Sequence, residues 1–262
     1  MRIASLGHAL FAATMIVLGI LGLINHDYAA VWHPVSSAVP AHQALGYCCA
    51  LLSLACGIGL LWQRAAAVAA RVLLAYLVIW SSLASLPGIF SAHAALGSWY
   101  TLAETAVMVA AAWTLYASFA SDWDRRHIRF ATGANGVRIG RVLFGLALIY
   151  FGMGHVVFLK ETASDVPAWL PCHVAWAYFT GYAFIAAGLA ILVGVYARLA
   201  AALSTFQIGL FVLLVWVPIV AAAGTKSAFQ WSETIISAAL TAAAWTLADS
   251  YRGVPWLAVN KR

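Results

Sequence analysis

Charged residues are scarce in this chain. They make up 8% of its 262 residues, whereas hydrophobic residues make up 65% and the mean hydropathy is +0.92. Because soluble domains carry about 25% charged residues, this composition excludes a water-soluble globular protein. The apolar stretches are as long as helices and do not alternate with polar residues, as the strands of a membrane barrel would. The chain is therefore predicted to be an all-α integral membrane protein.

Several motifs of known chemistry are also missing. There is no phosphate-binding loop, no nucleophile elbow and no zinc-protease motif. The four cysteines lack zinc-site spacing: Cys48, Cys49, Cys56 and Cys172. Buried free thiols are the favoured interpretation, and disulfide exchange between the vicinal pair in helix 2 and the loop cysteine is the alternative. A metal or haem site in which His26, His33 and His42 converge is a weaker alternative still.

Eight apolar windows are long enough to cross a bilayer as helices. They are predicted as helices 1 to 8, at residues 5–24, 43–62, 66–87, 99–119, 139–159, 173–195, 199–223 and 231–249. The first window could instead belong to a cleaved signal peptide. It is longer than the usual signal core and has an internal counterpart, so a transmembrane helix is favoured.

The second half of the chain repeats the first. The matches pair Gly7 with Gly140, Gly19 with Gly152, Val39-Pro40-Ala41 with Val166-Pro167-Ala168, Gly46-Tyr47 with Gly181-Tyr182, Trp80 with Trp216, and Ala111-Ala112-Trp113-Thr114-Leu115 with Ala243-Ala244-Trp245-Thr246-Leu247. The fold predicted from these matches is two tandem four-helix bundles, related by an axis along the membrane normal. Residues 1–120 form the first repeat, 121–137 a cytoplasmic linker, 138–250 the second repeat and 251–262 a cytoplasmic tail.

The basic residues predict the orientation. Twelve of the fourteen fall on one side of an eight-pass arrangement, and only Lys160 and Lys226 fall on the other. By the positive-inside rule both termini are cytoplasmic, and the expected location is the bacterial inner membrane. The net charge of +6 is therefore a topology signal, and nucleic-acid binding is not predicted.

Histidine and tryptophan gather at the predicted outer side. The histidines there are His26, His33, His42, His93, His155 and His173. One interpretation is an interfacial aromatic belt. The other is an outward-facing ligand cavity between the repeats. In the second case the candidate ligand-binding residues are Glu104, Trp231, Trp169, Trp176, His173 and Trp99.

Two glutamates follow predicted helix starts. Ser98 and Ser227 are predicted N-caps, and Glu104 and Glu233 each follow six residues later, about 9 Å inside the helix. Intramembrane carboxylates usually mark function, although they could instead only fix the bundle by a hydrogen bond. His155 is predicted to be buried and to pair with Glu233. These two residues are the catalytic candidates, as a proton relay. A satisfied interfacial histidine is the alternative.

One set of segments in the second half resembles the DoxX-like membrane family. The segments are the run from Arg141 to Leu146, Val166-Pro167-Ala168, Gly181 to Ala190 with Gly194, Tyr196 to Ala201, and Trp231-Ser232-Glu233. The first half matches loosely, since Gln63-Arg64-Ala65 stands where the family's Ala-Arg-Leu run would. The resemblance implies four-helix membrane bundles, some of which are associated with quinone-linked sulfur oxidation or with partner oxidoreductases.

Together these features predict a membrane subunit or accessory of a redox system. It would bind a quinone-like or other small amphipathic ligand in the outward pocket, and whether it is an enzyme stays open. The alternatives are a non-catalytic transporter or binding protein for a small hydrophobic or organic-acid ligand, and a scaffold. The expected partners are the lipid bilayer, an oxidoreductase or periplasmic protein, and a second copy in a homo-oligomer. Quinone is the cofactor considered, and no metal ligands are assigned.

Overall fold

The computed structural model describes residues 5–28, 40–84, 96–223 and 228–259. Its helices are α1 (Leu6–Asn25), α2 (His42–Leu61), α3 (Ala66–Ala84), α4 (Leu96–Phe119), α5 (Asp122–His127), α6 (Gly133–Val157), α7 (Leu159–Ser164), α8 (His173–Val193), α9 (Ala197–Phe211), α10 (Val217–Ala223) and α11 (Ala228–Asp249). A 3-10 turn at Arg129–Ala131 precedes α6, and a π-helical segment at Val212–Trp216 joins α9 to α10.

Among the residues that the structure describes, seven helical stretches are long and apolar enough to cross a membrane. They are α1, α2, α3, α4, α6, α8 and the continuous stretch from α9 into α10. The prediction of an all-α, multi-pass membrane protein is confirmed at this level. The eighth predicted span corresponds to α11, which carries Glu233 and Asp249 and is not among the seven. Eight crossings and the sidedness of the termini remain predictions.

The predicted linker is largely helical. The fifth window was expected to start at residue 139, but α6 begins at Gly133, and α5 covers most of the polar stretch before it. Ser121 and Asp124 form a capping box at the start of α5, which explains why this charged segment is helical. The Trp113 indole donates a hydrogen bond to the Ala131 carbonyl, so the segment is packed against α4.

Neighbouring helices form a closed ring. The order is α1, α2, α3, α4, α6, α8, α9 and α11, with α11 returning to α1, while α4 and α11 also meet in the middle. The second-half helix α6 packs extensively on α4 and only slightly on α11, which belongs to its own half. Each half therefore completes its packing with a helix of the other half.

Two pairs of glycine and threonine show the repeat in space. A Cβ atom added to Gly7 would lie 2.6 Å from the Thr246 backbone nitrogen, and one added to Gly140 would lie 2.4 Å from the Thr114 hydroxyl oxygen. Gly7 matches Gly140 and Thr114 matches Thr246 in the repeat predicted from sequence. Both contacts join one half to the other, which is consistent with the predicted repeat.

The predicted match of Gly46 to Gly181 is wrong by four residues. A Cβ at Gly19 would lie 2.7 Å from the Ala50 carbonyl oxygen, and one at Gly152 would lie 2.4 Å from the Gly181 carbonyl oxygen. Gly181 therefore corresponds to Ala50. Because residues four apart lie on the same helix face, a recurring glycine does not fix the register of a match.

The corrected register pairs the first residues of two helices. His42 begins α2 and His173 begins α8, and the residues before them, Ala41 and Cys172, both have left-handed backbone, with φ of 55° and 58°. The segment 40–42 therefore corresponds to 171–173. The predicted match of Val39-Pro40-Ala41 to Val166-Pro167-Ala168 is wrong for this reason, and Val39 itself lies outside the described residues.

Ionic contacts hold together the end of the molecule that we call the basic end. It carries Arg71, Arg125, Arg126, Arg129, Arg138, Arg141, Arg198 and Arg252. The fully buried Asp124 carboxylate accepts hydrogen bonds from Arg71 at 2.8 Å, from the Tyr116 hydroxyl at 3.0 Å and from Ser121. Burial alone would raise the pKa of Asp124, but the Ser121 and Arg71 hydrogen bonds outweigh it and hold that pKa below its usual value.

The segment after α11 is docked at the same end. The Arg141 guanidinium donates to Ser250 and lies 3.8 Å from the centre of the Tyr251 ring. Tyr196 donates its backbone N–H to the Ala258 carbonyl at 2.9 Å. The predicted cytoplasmic tail is therefore folded back on the start of α9.

Candidate functional site

The opposite end of the molecule carries four described histidines, and we call it the histidine end. They are His26, His42, His155 and His173. These residues lie at the end of α1, the start of α2, near the end of α6 and at the start of α8. The packing of α1 on α2 and of α6 on α8 gathers them, as predicted, on one side. Trp32, His33 and His93 lie outside the described residues.

A carboxylate and an imidazole are paired at this end. The Asp27 Oδ1 atom lies 3.0 Å from Nε2 of His42, and it also accepts the backbone N–H of Tyr28 at 2.7 Å. The Asp27 side chain is 59% exposed, and that of His42 is 21% exposed. The pair therefore joins the turn after α1 to the first residue of α2.

Aromatic rings pack beside the Asp27–His42 pair. The buried Tyr28 ring lies edge-on to the His42 ring, with centroids 5.0 Å apart, and it packs against Trp80 at 4.9 Å. Beside it, the Tyr47 hydroxyl lies 2.6 Å from Nδ1 of His26. Carboxylate, imidazole and phenol groups and flat aromatic rings therefore meet in one cluster. The cluster joins the end of α1 to the start of α2 and the end of α3.

Sequence reasoning missed Asp27 and considered His42 only as a ligand in the metal or haem alternative. The available signal was the Pro-X-His segment that opens both α2 and α8, with His42 and His173 in equivalent positions. The match chosen from sequence paired Pro40 with Pro167 instead of Pro171, so this recurrence was hidden. The predicted repeat did not reveal Asp27 either. The residue that follows α6 at the position corresponding to Asp27 after α1 is Lys160, which is basic.

His155 is buried, as predicted, but its contacts come from α8 and α9. Its Nδ1 atom lies 3.0 Å from the Thr180 hydroxyl, and its ring packs against Phe184 and Phe211 at 5.5 and 5.7 Å. The expected pairing with Glu233 is not among the contacts of His155 within the described residues. The reason is the ring order, in which α6 barely touches α11.

The two glutamates differ in depth and burial. Glu104 is buried on α4, and Glu233 is half-buried on α11. The equivalence of Thr114 and Thr246 sets the register of these continuous helices, and by that register the glutamates are three residues out of step, about 4.5 Å along the helix. They are therefore not symmetric counterparts, as sequence spacing suggested.

The two predicted N-caps of these helices have different outcomes. Ser98 lies inside α4, which begins at Leu96, so its prediction as an N-cap is wrong. Ser227 lies outside the described residues. The Trp99 ring stacks on Tyr150 at 5.5 Å, with planes 7° apart, so this predicted ligand-binding residue is engaged between α4 and α6.

Three of the predicted ligand-binding tryptophans lie on the outer surface. Trp169 is 69% exposed in the connection before α8, and Trp176 and Trp231 are also exposed. His173, the remaining candidate, is half-buried at the start of α8. This placement fits the aromatic-belt interpretation for the three exposed indoles.

The described residues contain neither an assembled metal site nor a disulfide. Within residues 5–28, 40–84, 96–223 and 228–259, no group of three histidine, cysteine or acidic side chains is arranged to hold a metal ion. All four cysteines are free thiols, with Cys49 and Cys56 buried and Cys48 and Cys172 exposed.

No family model matches the chain, and neither a curated protein nor a solved structure matches it.

Proposed function

We propose that the protein is a membrane subunit or accessory of a redox system, and that it binds a quinone-like or other small amphipathic molecule at the histidine end. Membership of the DoxX-like family is part of this proposal. The observation that carries it is the Asp27–His42 pair, held at 3.0 Å beside the Tyr28 and Trp80 rings.

The proposal follows from what a bilayer quinone needs. Oxidation of a quinol releases protons at the membrane boundary, so a base must stand where the ring emerges from the hydrocarbon. In this proposal the His42 imidazole, 3.0 Å from the Asp27 carboxylate, is that base. The ring itself would lie against aromatic side chains, which supply the apolar wall typical of small-ligand sites. In this proposal His155 positions α8 against α6, and the acid–base role belongs to Asp27 and His42.

Quinone retention tests the proposal. The full chain is purified from membranes in mild detergent, and its lipid extract is analysed by mass spectrometry for quinone per protein. We expect His42→Gln and Asp27→Asn to lower the quinone content about tenfold, since each removes a charge-assisted hydrogen bond. His127→Gln is the matched control, because His127 is exposed on α5 at the other end.

The outcomes separate the alternatives. Quinone-free wild-type protein would contradict the redox proposal and favour the carrier or the scaffold. Equal quinone content in wild type, His42→Gln and Asp27→Asn would move the site away from this pair. Glu233→Gln belongs to the same series, and a loss confined to that variant would return the acid–base role to α11.

A further inference from the structure

A long apolar groove runs along the outside of the bundle, between α1, α9 and α11. It encloses about 680 Å³, within the range of ligand sites in proteins. Its apolar wall includes Leu10, Phe206, Leu210, Leu213, Ala242 and Trp245. The stretch that contains α9 is the least buried of the candidate membrane spans, so the groove faces the lipid.

The threonines of the groove do not make it polar. Thr14, Thr205 and Thr241 line it, and each donates its hydroxyl to the backbone carbonyl four residues earlier in its own helix. Their methyl groups are therefore what remains to contact an occupant. A surface of this kind suits a hydrocarbon chain better than a polar solute.

Charge is confined to one end of the groove. Arg198, Asp249 and Arg252 line it there, at the basic end of the molecule. Asp249 is already engaged, since it accepts the backbone N–H of Gly7 at 2.8 Å and contacts Arg252 at 2.9 Å. Two arginines and one aspartate leave one positive charge, which a single phosphodiester would balance.

The two arginines of the groove suit such a role in different ways. Arg198 donates to the Val254 carbonyl at 2.7 Å, and its guanidinium lies 4.1 Å from the centre of the Trp256 ring. The Arg252 side chain is 57% exposed, so it can turn toward a headgroup. Trp256, also on the groove wall, is of the residue type that anchors proteins at the headgroup level.

The length of the groove also suits a hydrocarbon chain. Along α9 and the π-helical segment the groove extends from Arg198 to Leu213, about 22 Å of helix. One leaflet offers about 15 Å of hydrocarbon plus its headgroup layer. The groove ends where the π-helical turn widens the helix, a feature that is frequent at functional sites.

We propose that the α1–α9–α11 groove binds one phospholipid with an anionic headgroup, with its phosphate between Arg198 and Arg252 and an acyl chain along the apolar wall. The proposal is independent of the one for the histidine end, because it concerns other residues at the opposite end. It names a specific lipid site, in addition to the general lipid contact of the other helices.

Lipid titration of the delipidated full chain tests this. Native mass spectrometry counts bound phosphatidylglycerol, and phosphatidylethanolamine with the same acyl chains in a parallel titration. We expect one anionic lipid to bind tighter than the zwitterionic one, and Arg252→Gln to lower the phosphatidylglycerol affinity about fivefold. Arg126→Gln is the matched control, since it removes an equal charge from the basic end outside the groove.

A second variant fills the groove. A Cβ added to Gly209 would make only ordinary contact, 3.4 Å from the Thr241 methyl, so Gly209→Leu directs a side chain into the groove without a clash at its base. We expect it to weaken both lipids, with an unchanged unfolding midpoint in lipid-free detergent. If Arg252→Gln impairs folding, this variant decides alone. Equal affinities for the two lipids, or phosphatidylglycerol binding unaffected by Gly209→Leu, would overturn the proposal, as would displacement of the phospholipid by a neutral quinone.

Discussion

Asp124 is the residue on which the basic end depends. Its carboxylate joins α3, α4 and α5 through Arg71, Tyr116 and Ser121. Removing one member of such a buried network leaves the other donors without their acceptor, which costs more than the network contributes as a whole. The cluster therefore fixes the connection between the two halves, at the point where the polar linker would otherwise be free to move.

We expect Asp124→Asn to lower the free energy of unfolding by about 2 kcal/mol near neutral pH. The pKa of Asp124 is lowered in the folded protein, so the stabilisation is present above the unfolded pKa of about 3.9 and disappears as the pH falls through the folded value. Detergent unfolding titrations between pH 3 and pH 7 should show the two proteins converging in acid. Asp122→Asn, on the exposed side of the same helix, is the control, and a constant difference at all pH values would contradict the mechanism.

At the scale of helices, glycine sets the spacing between α6 and α8. Gly152 lies against the Gly181 carbonyl, so close that an added Cβ would be 2.4 Å from that oxygen. The equivalent contact in the first half is Gly19 against Ala50, which also allows no Cβ. Close approach of small residues is a general means of helix association in membranes, where burial of apolar surface gives no driving force.

We expect Gly152→Ala to destabilise the protein by about 2 kcal/mol, because α6 and α8 must move apart to admit the methyl group. Gly46→Ala is the matched control. Its Cβ would meet its nearest neighbour at 3.4 Å, and alanine favours a helix over glycine by about 1 kcal/mol. Thermal unfolding followed by tryptophan fluorescence should give a lower midpoint for the first variant only. Equal midpoints would mean that α6 and α8 are not held by this contact.

The sequence predicted the positions of the helices better than it predicted their packing. The predicted windows and the observed helices mostly agree within a few residues, since a span needs about 20 apolar residues whatever lies beside it. The exception is the polar segment between α4 and α6, where α6 begins six residues early, at Gly133, and a capping box starts the additional helix α5. Hydropathy does not specify neighbours, so the exchange of contacts between halves was not predicted. The expected pairing of His155 with Glu233 failed for that reason.

The candidate site, too, was predicted only in part from the sequence. Six outward histidines were identified by composition and topology, and the structure gathers the four that it describes. The pairing of Asp27 with His42 depends on how the turn after α1 meets the first residue of α2, which no helical periodicity encodes. Glu104 and Glu233 were matched by their distance from serines, and Ser98 is no helix start.

For the molecule as a whole, the two predicted repeats differ in chemistry. His42 and His173 are equivalent, yet the position of Asp27 relative to α1 corresponds to Lys160 relative to α6. Thr180 approaches His155 from α8, whereas the equivalent contact in the first half is made by Gly22 against α2. A duplicated scaffold with a one-sided acid–base pair fits a single site better than two symmetric ones.

The orientation of the whole molecule can be tested with a native thiol. Cys172 is exposed and precedes α8 at the histidine end, whereas Cys49 and Cys56 are buried. If the arginine-rich end is cytoplasmic, a membrane-impermeant maleimide should label Cys172 in intact spheroplasts of a Cys48→Ser variant, which lacks the other exposed thiol, and adding Cys172→Ser should remove that label. Asp122→Cys, placed in the Cys48→Ser, Cys172→Ser background, should react only after lysis, because it lies on α5 at the basic end. The opposite pattern would put Asp27 and His42 on the cytoplasmic side, so that any proton they exchange would be released there, and it would contradict an outward-facing site.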